Sequence, residues 1–139
     1  MARARSLGQS NAPKVANQRF FAFFCSMPFS DLERARLSKV LSAWSEEVPA
    51  RVRDQLRHGF RIGTNDVVIF ESRPHFMPPH EWLDHEVAKF RYVRAANEWR
   101  LFCKFRDLRW RAYEPLPSSP TFDALFAEVR RDPTHIFWG

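Results

Sequence analysis

Three consecutive stretches in the second half of this chain alternate apolar and basic side chains with a period of two. Ala88, Phe90 and Tyr92 alternate with Lys89, Arg91 and Val93; Trp99, Leu101, Cys103 and Phe105 alternate with Arg100, Phe102, Lys104 and Arg106; Trp110 and Ala112 alternate with Arg109, Arg111 and Tyr113. Period two is the strand period, because successive side chains leave opposite faces of a sheet. The pattern predicts a sheet with one aromatic and aliphatic face. The other face carries Lys89, Arg91, Arg100, Lys104, Arg106, Arg109 and Arg111, with Phe102 and Tyr113 among them. An apolar sheet face must be covered by another layer.

The flanking segments supply that layer. Ser30 and Glu33 form a capping box, and Leu37, Val40, Leu41 and Trp44 follow at the spacing of one helical face. Pro49 ends this helix and opens a short second one. Phe60 and Ile62 begin the sheet, Gly63 to Asp66 has turn chemistry, and Val67 to Phe70 returns as a second strand, apolar enough to be covered on both faces. Residues 73–86, with Pro74, Pro78 and Pro79, read as a long loop before the three alternating strands. Ser119 and Pro120 are expected to cap a last helix with the apolar stripe Phe122, Leu125, Phe126 and Val129, stopped by Pro133. The expected fold class is α+β: an N-terminal helix, a five-stranded antiparallel meander and a C-terminal helix, both helices packed on one sheet face.

With 139 residues the chain has room for one domain, expected over residues 27–139. Residues 1–26 are a basic leader without periodicity, expected to be disordered, and the cap that follows Met27 makes that methionine the expected natural start. The run Phe20 to Cys25 imitates a signal peptide but is short and lacks a clear small-residue cleavage site. No apolar stretch reaches the roughly 18 residues of a spanning helix, so no membrane is expected. Cys25 and Cys103 are poor partners for one another, which fits a reducing cytoplasm.

The formal net charge of +6 is misleading, because Arg3, Arg5, Lys14 and Arg19 lie in a leader that holds no acid. The remainder is nearly balanced but polarised. Residues 87–113 hold eight basic and two acidic side chains, whereas residues 62–86 hold one basic and five acidic. The basic face could track a phosphate backbone, with Phe102 and Tyr113 stacking on bases; a solvated sheet exterior explains the same residues. His75, His80 and His85 recur every five residues beside Glu71, Glu81, Asp84 and Glu86. Imidazoles and carboxylates suit a divalent metal, although no standard ligand spacing is present. No glycine-rich phosphate loop or nucleophile elbow occurs, and Cys103 sits between inward-facing neighbours. Phe137 and Trp138 are expected to dock on the core as a structural tail, against the strand Val67 to Phe70.

Residues from about 29 to 139 resemble the bacterial domain-of-unknown-function family 3024. The resemblance is carried by Leu56 to Ile62, by Val68-Ile69-Phe70-Glu71-Ser72-Arg73-Pro74, by Val87-Ala88-Lys89, by Trp110 with Tyr113-Glu114-Pro115, and by the terminal Phe137-Trp138-Gly139. It implies a small bacterial protein with a helix, a sheet and a closing helix, and it implies no activity, ligand or catalytic residue. Taken together, the residues suggest a non-enzymatic binding or regulatory module without a cofactor, with a protein or unidentified partner. Single-stranded nucleic acid on the basic face is the alternative, and a metal-assisted enzyme using the histidine-rich loop is the third reading.

Overall fold

The computed structural model describes residues 28–139. The leader, Cys25 and the expected start at Met27 lie outside the described residues. Helix α1 spans Asp31–Ser45. Its capping box is formed: the Glu33 amide donates to Ser30 Oγ at 3.2 Å, and the Ser30 amide donates to the Glu33 carboxylate at 2.7 Å. Leu37, Leu41 and Trp44 are buried, but Val40 is 40% exposed, so the buried stripe is narrower than the apolar spacing suggested. A short 3₁₀ turn, Ala50–Val52, follows Pro49.

The strands are β1 Arg57–Ile62, β2 Asp66–Pro74, β3 Trp82–Val93, β4 Glu98–Lys104, β5 Trp110–Ala112 and β6 Ser118–Ser119. They form one antiparallel sheet in the order β1-β2-β3-β4-β5, with β6 also pairing to β4. Helix α2 spans Phe122–Arg131. Both helices lie on one face. There Leu41, Trp44, Phe122, Leu125, Phe126 and Val129 enclose a core with Val67, Ile69, Phe90 and Leu101. Trp44 packs edge-on against Phe126 with ring centroids 5.7 Å apart, and Phe126 stacks on Phe122 at 5.4 Å. The fold is thus α+β with a mostly meandering antiparallel sheet.

Three local expectations are corrected. First, residues 73–86 are not a loop: β2 runs to Pro74 and β3 starts at Trp82, leaving only residues 75–81 as the turn. Pro74 is tolerated because it ends its strand, where a missing N–H costs no ladder bond. The pairing shifts by one residue between Ile69 and Phe70, which leaves Val87 and Ala88 both buried. Second, the cap of α2 is Thr121, whose Oγ1 accepts from the Ala124 amide at 3.3 Å. Ser119 is drawn into the pairing of β6 with Trp99, so the helix starts later.

Third, β5 shows the opposite face from the one its pattern suggested. Residues opposite one another in an antiparallel pair share a face. Lys104 lies opposite Trp110, Cys103 opposite Arg111 and Phe102 opposite Ala112. Trp110 therefore sits on the outer face, and Tyr113 turns into the core, where it is only 2% exposed. Its amide donates to the Leu101 carbonyl at 3.0 Å, and its hydroxyl donates to the buried Glu128 carboxylate at 2.9 Å.

After α2 the chain reverses at Asp132, which has a left-handed backbone (φ 46°). The Asp132 carboxylate accepts from the amides of Phe137 at 3.2 Å and Trp138 at 2.9 Å. The Trp138 indole donates to the Val129 carbonyl at 2.9 Å. Phe137 packs on Tyr113, and Trp138 packs against His58 and Trp44. These ring partners lie on the helix side of the sheet, not on the outer side of Val67 to Phe70. That outer side is covered locally: the Phe70 ring fills the space over Gly59, where a Cβ would come within 2.5 Å, and Arg61 lies over the same ring at 4.8 Å.

Candidate functional site

The outer sheet face, which neither helix covers, is built from alternate residues of five strands. The register places Arg57 and Arg61 of β1 and Val68, Phe70 and Ser72 of β2 on it. Trp82, Asp84, Glu86, Lys89 and Arg91 of β3, Arg100, Phe102 and Lys104 of β4, and Trp110 of β5 share that face. Five of the expected contact residues, Lys89, Arg91, Arg100, Phe102 and Lys104, are therefore brought together.

Four others are not part of this face. Arg106 and Arg109 lie in the turn of residues 105–109 beyond β4. Arg111 shares the face of Cys103, pairs with Asp107, and lies 5.4 Å over the Phe105 ring. Tyr113 is in the core because the five-residue turn sets the register that sends it inward. Trp110 takes the place expected of Tyr113. The structure also adds Arg57, Arg61, Phe70 and Trp82. Their period-two spacing was the signal, although turn and proline residues around them obscured it.

Acids within the face neutralise much of its charge. Lys104 reaches Glu86 from the neighbouring β4 and bonds its carboxylate, while Arg61 reaches it from β1, across β2, at 2.6 Å. The Lys104 hydrogen bond, with Arg61 beside it, holds the Glu86 carboxyl below its ordinary range against the opposing effect of burial. Lys89 lies 3.7 Å from Asp66, and Arg100 lies 3.2 Å from Glu98. Among the described residues, Arg91, Arg106 and Arg109 form no ion pair.

The aromatic rings are partly capped by cations. Arg57 lies 3.8 Å over Trp82, and Lys104 lies 4.6 Å over Trp110. Among the described residues, no cation lies over the Phe102 ring. Arg91 and Arg100 are directly opposite on β3 and β4, a like-charge pair that is locally unfavourable.

The histidines do not converge. His80 Nδ1 contacts the His75 carbonyl at 2.9 Å, and His75 Nδ1 accepts from the Met77 amide at 3.1 Å. His85 lies on β3 opposite Glu71. Among the described residues no cluster of three or more His, Cys, Asp or Glu side chains could hold a metal ion. Cys103 is 2% exposed, and burial pushes its thiol up, away from the reactive thiolate. A groove of about 490 Å³ lies between α1 and the start of α2, floored by Phe29, Tyr92, Trp99 and Phe122. Its charged rim is Glu33, Arg36, Lys39 and Asp123, and among the described residues no Ser, Cys or His lines it. Among the described residues no helix is long and apolar enough to cross a membrane.

A family model matches residues 29–139, from the first residue against α1 to the docked terminus. The chain belongs to the family described as Domain of unknown function (DUF3024). The match spans every helix and strand described above, so the family's unit includes the tail that Asp132 folds back. No curated protein and no solved structure matches the chain.

Proposed function

We propose that this member of the family is a small binding module whose outer sheet face takes single-stranded nucleic acid. The observation that carries this reading is the diagonal pair Phe102 and Trp110 on a helix-free face, with Arg91, Arg100, Lys89 and Lys104 around it. Sheet-surface aromatics accept bases of any sequence by stacking, each worth about 1–3 kcal/mol. A phosphate near the opposed Arg91 and Arg100 relieves their mutual repulsion.

The internal acids set the scale. With Arg61 and Lys104 held by Glu86 and Lys89 beside Asp66, few cations remain for phosphate. Two or three free cations on a single strand give a log–log salt slope of only about −1.4 to −2. Binding should therefore be weak and without strong sequence preference.

The test is anisotropy of a labelled mixed-sequence oligonucleotide, titrated at several salt concentrations. Joint Phe102→Ala and Trp110→Ala substitution removes binding. Arg91→Ser with Arg100→Ser flattens the salt slope by about 1.4, and Glu86→Gln tightens binding by releasing Lys104 and Arg61. Absence of wild-type binding at low salt, or a Glu86→Gln variant that binds more weakly while still folded, overturns the reading.

A further inference from the structure

β3 and β4 are antiparallel, so the turns of residues 75–81 and 105–109 lie at the same end of the sheet. That end holds most of the exposed large apolar side chains among the described residues. Phe76 is 82% exposed, and Met77 and Leu83 accompany it on the β2–β3 hairpin; Leu108 is 73% exposed, with Phe105 beside it on the β4–β5 hairpin. Elsewhere among the described residues only Leu32 and Val40 of α1 are comparable. Leu108 is also held at φ 61°, a left-handed conformation uncommon for a bulky residue, in the turn that its amide closes on the Phe105 carbonyl at 3.0 Å.

The unpaired charges of the two hairpin ends are opposite. Beside Phe76, Glu81 is exposed and forms no described ion pair, whereas Glu71 is paired with Arg73 and Asp84 lies 3.9 Å from Arg61. Beside Leu108, Arg106 and Arg109 are likewise exposed and unpaired. We propose that this end of the sheet pairs with the same end of a second copy. A two-fold arrangement sets the acidic β2–β3 tip of each protomer against the basic β4–β5 tip of its partner, with the five apolar side chains between.

Such an isologous contact needs a self-complementary surface, and two apolar tips, one beside an unpaired acid and the other beside unpaired bases, supply that. Exposed Phe76 alone offers on the order of 150 Å². Five large side chains with their polar neighbours reach the roughly 600 Å² per partner of a small interface. The contact is therefore reversible. It uses none of the outer-face residues assigned to nucleic acid, so either reading can fail without the other.

Sedimentation equilibrium of the full chain, from about 1 μM to about 1 mM, tests the proposal. The expected result is a monomer that becomes a dimer across this range. Phe76→Ser with Leu108→Asp keeps the melting temperature of the monomer and abolishes the dimer. Charge reversal supplies the specific arm. Glu81→Arg alone and Arg106→Glu with Arg109→Glu alone each stay monomeric, and an equimolar mixture of the two variants forms a heterodimer. A wild-type chain monomeric throughout, a dimer untouched by Phe76→Ser with Leu108→Asp, or failure of the two charge variants to pair overturns it.

Discussion

The two ends of the sheet are closed by different chemistry. At the end with the turns 63–66 and 94–97, the start of α1 reaches over and bonds both. The Phe29 amide donates to the Thr64 carbonyl at 2.7 Å, and Arg34 donates to the Gly63 carbonyl at 2.9 Å. Arg94 forks onto the Glu33 carboxylate at 3.0 and 3.2 Å, and Phe29 stacks on Trp99 at 5.6 Å. At the other end, the tail residues Phe137 and Trp138 close the core from the helix side, while the two hairpin tips beyond them stay bare. The lesson is that the same meander can be sealed where a helix terminus offers donors and left open where only an apolar tail is at hand. The sealed end uses its donors within the fold; the open end leaves Phe76 and Leu108 exposed.

The largest test of this contrast is a matched pair of truncations. Phe29 is 5% exposed, so Phe29→Ala removes a packed ring and should cost about 3 kcal/mol in urea denaturation. Leu108→Ser, at dilutions where the chain is monomeric, should change stability by less than about 0.5 kcal/mol. Equal losses at the two ends would abolish the distinction.

A smaller effect isolates the polar part of the seal. Glu33 both caps α1 and receives Arg94, so Glu33→Ala should cost about 1 kcal/mol, most of it from the cap, since the ion pair is partly solvated. The Arg94 hydrogen bond holds the Glu33 carboxyl below its ordinary 4.5, with Ser30 helping and burial opposing. A carboxyl with a depressed folded pKa contributes stability above 4.5, lost as pH falls through the folded value. The stability of Glu33→Ala should therefore fall less steeply than that of the wild type in this acid window. Parallel slopes in the two chains would mean that the pair does not form in solution.

Much of this arrangement is legible in the sequence, and the failures have definite causes. The capping box Ser30–Glu33 and the α2 stripe Phe122, Leu125, Phe126 and Val129 are local patterns, and each forms. The faces of β3 and β4 follow from long alternations that admit one parity. β5 has two aromatics, Trp110 and Tyr113, three residues apart, and a strand must send residues so spaced to opposite faces. Which one faces inward depends on the length of the preceding turn, a non-local fact that the alternation within β5 does not carry. The convergence of Arg61 and Lys104 on Glu86 was equally hidden, because it joins three strands through a register shifted by one residue at Val87.

The smallest predicted effect separates the ends by pH. His58 on β1 lies under the docked tail, stacked on Trp44 at 4.6 Å with rings 10° from parallel and 5.2 Å from Trp138. Its Nδ1 is buried without a hydrogen-bond partner among the described residues. Burial lowers its pKa from the ordinary 6.5; Glu71 and Glu47 pull it upward, Arg73 pushes it further down, and burial prevails. The folded state thus prefers the neutral ring. Its contribution is complete above 6.5 and is lost as pH falls from there through the folded pKa. The open end should accordingly loosen at a higher pH than the sealed end, whose carboxyl titrates below 4.5. Stability of the wild type should decline as pH is lowered from about 7 to about 5, and His58→Gln should remove part of that decline. Histidines 75, 80, 85 and 135 remain in the variant, so the difference between the chains belongs to position 58. Trp138→Ala provides the second arm: with the indole gone, His58 gains solvent, its pKa returns toward 6.5, and the same part of the slope disappears, at a lower overall stability. If Trp138→Ala keeps the full slope, or His58→Gln declines as steeply as the wild type, the acid sensitivity of the open end does not arise beneath the tail.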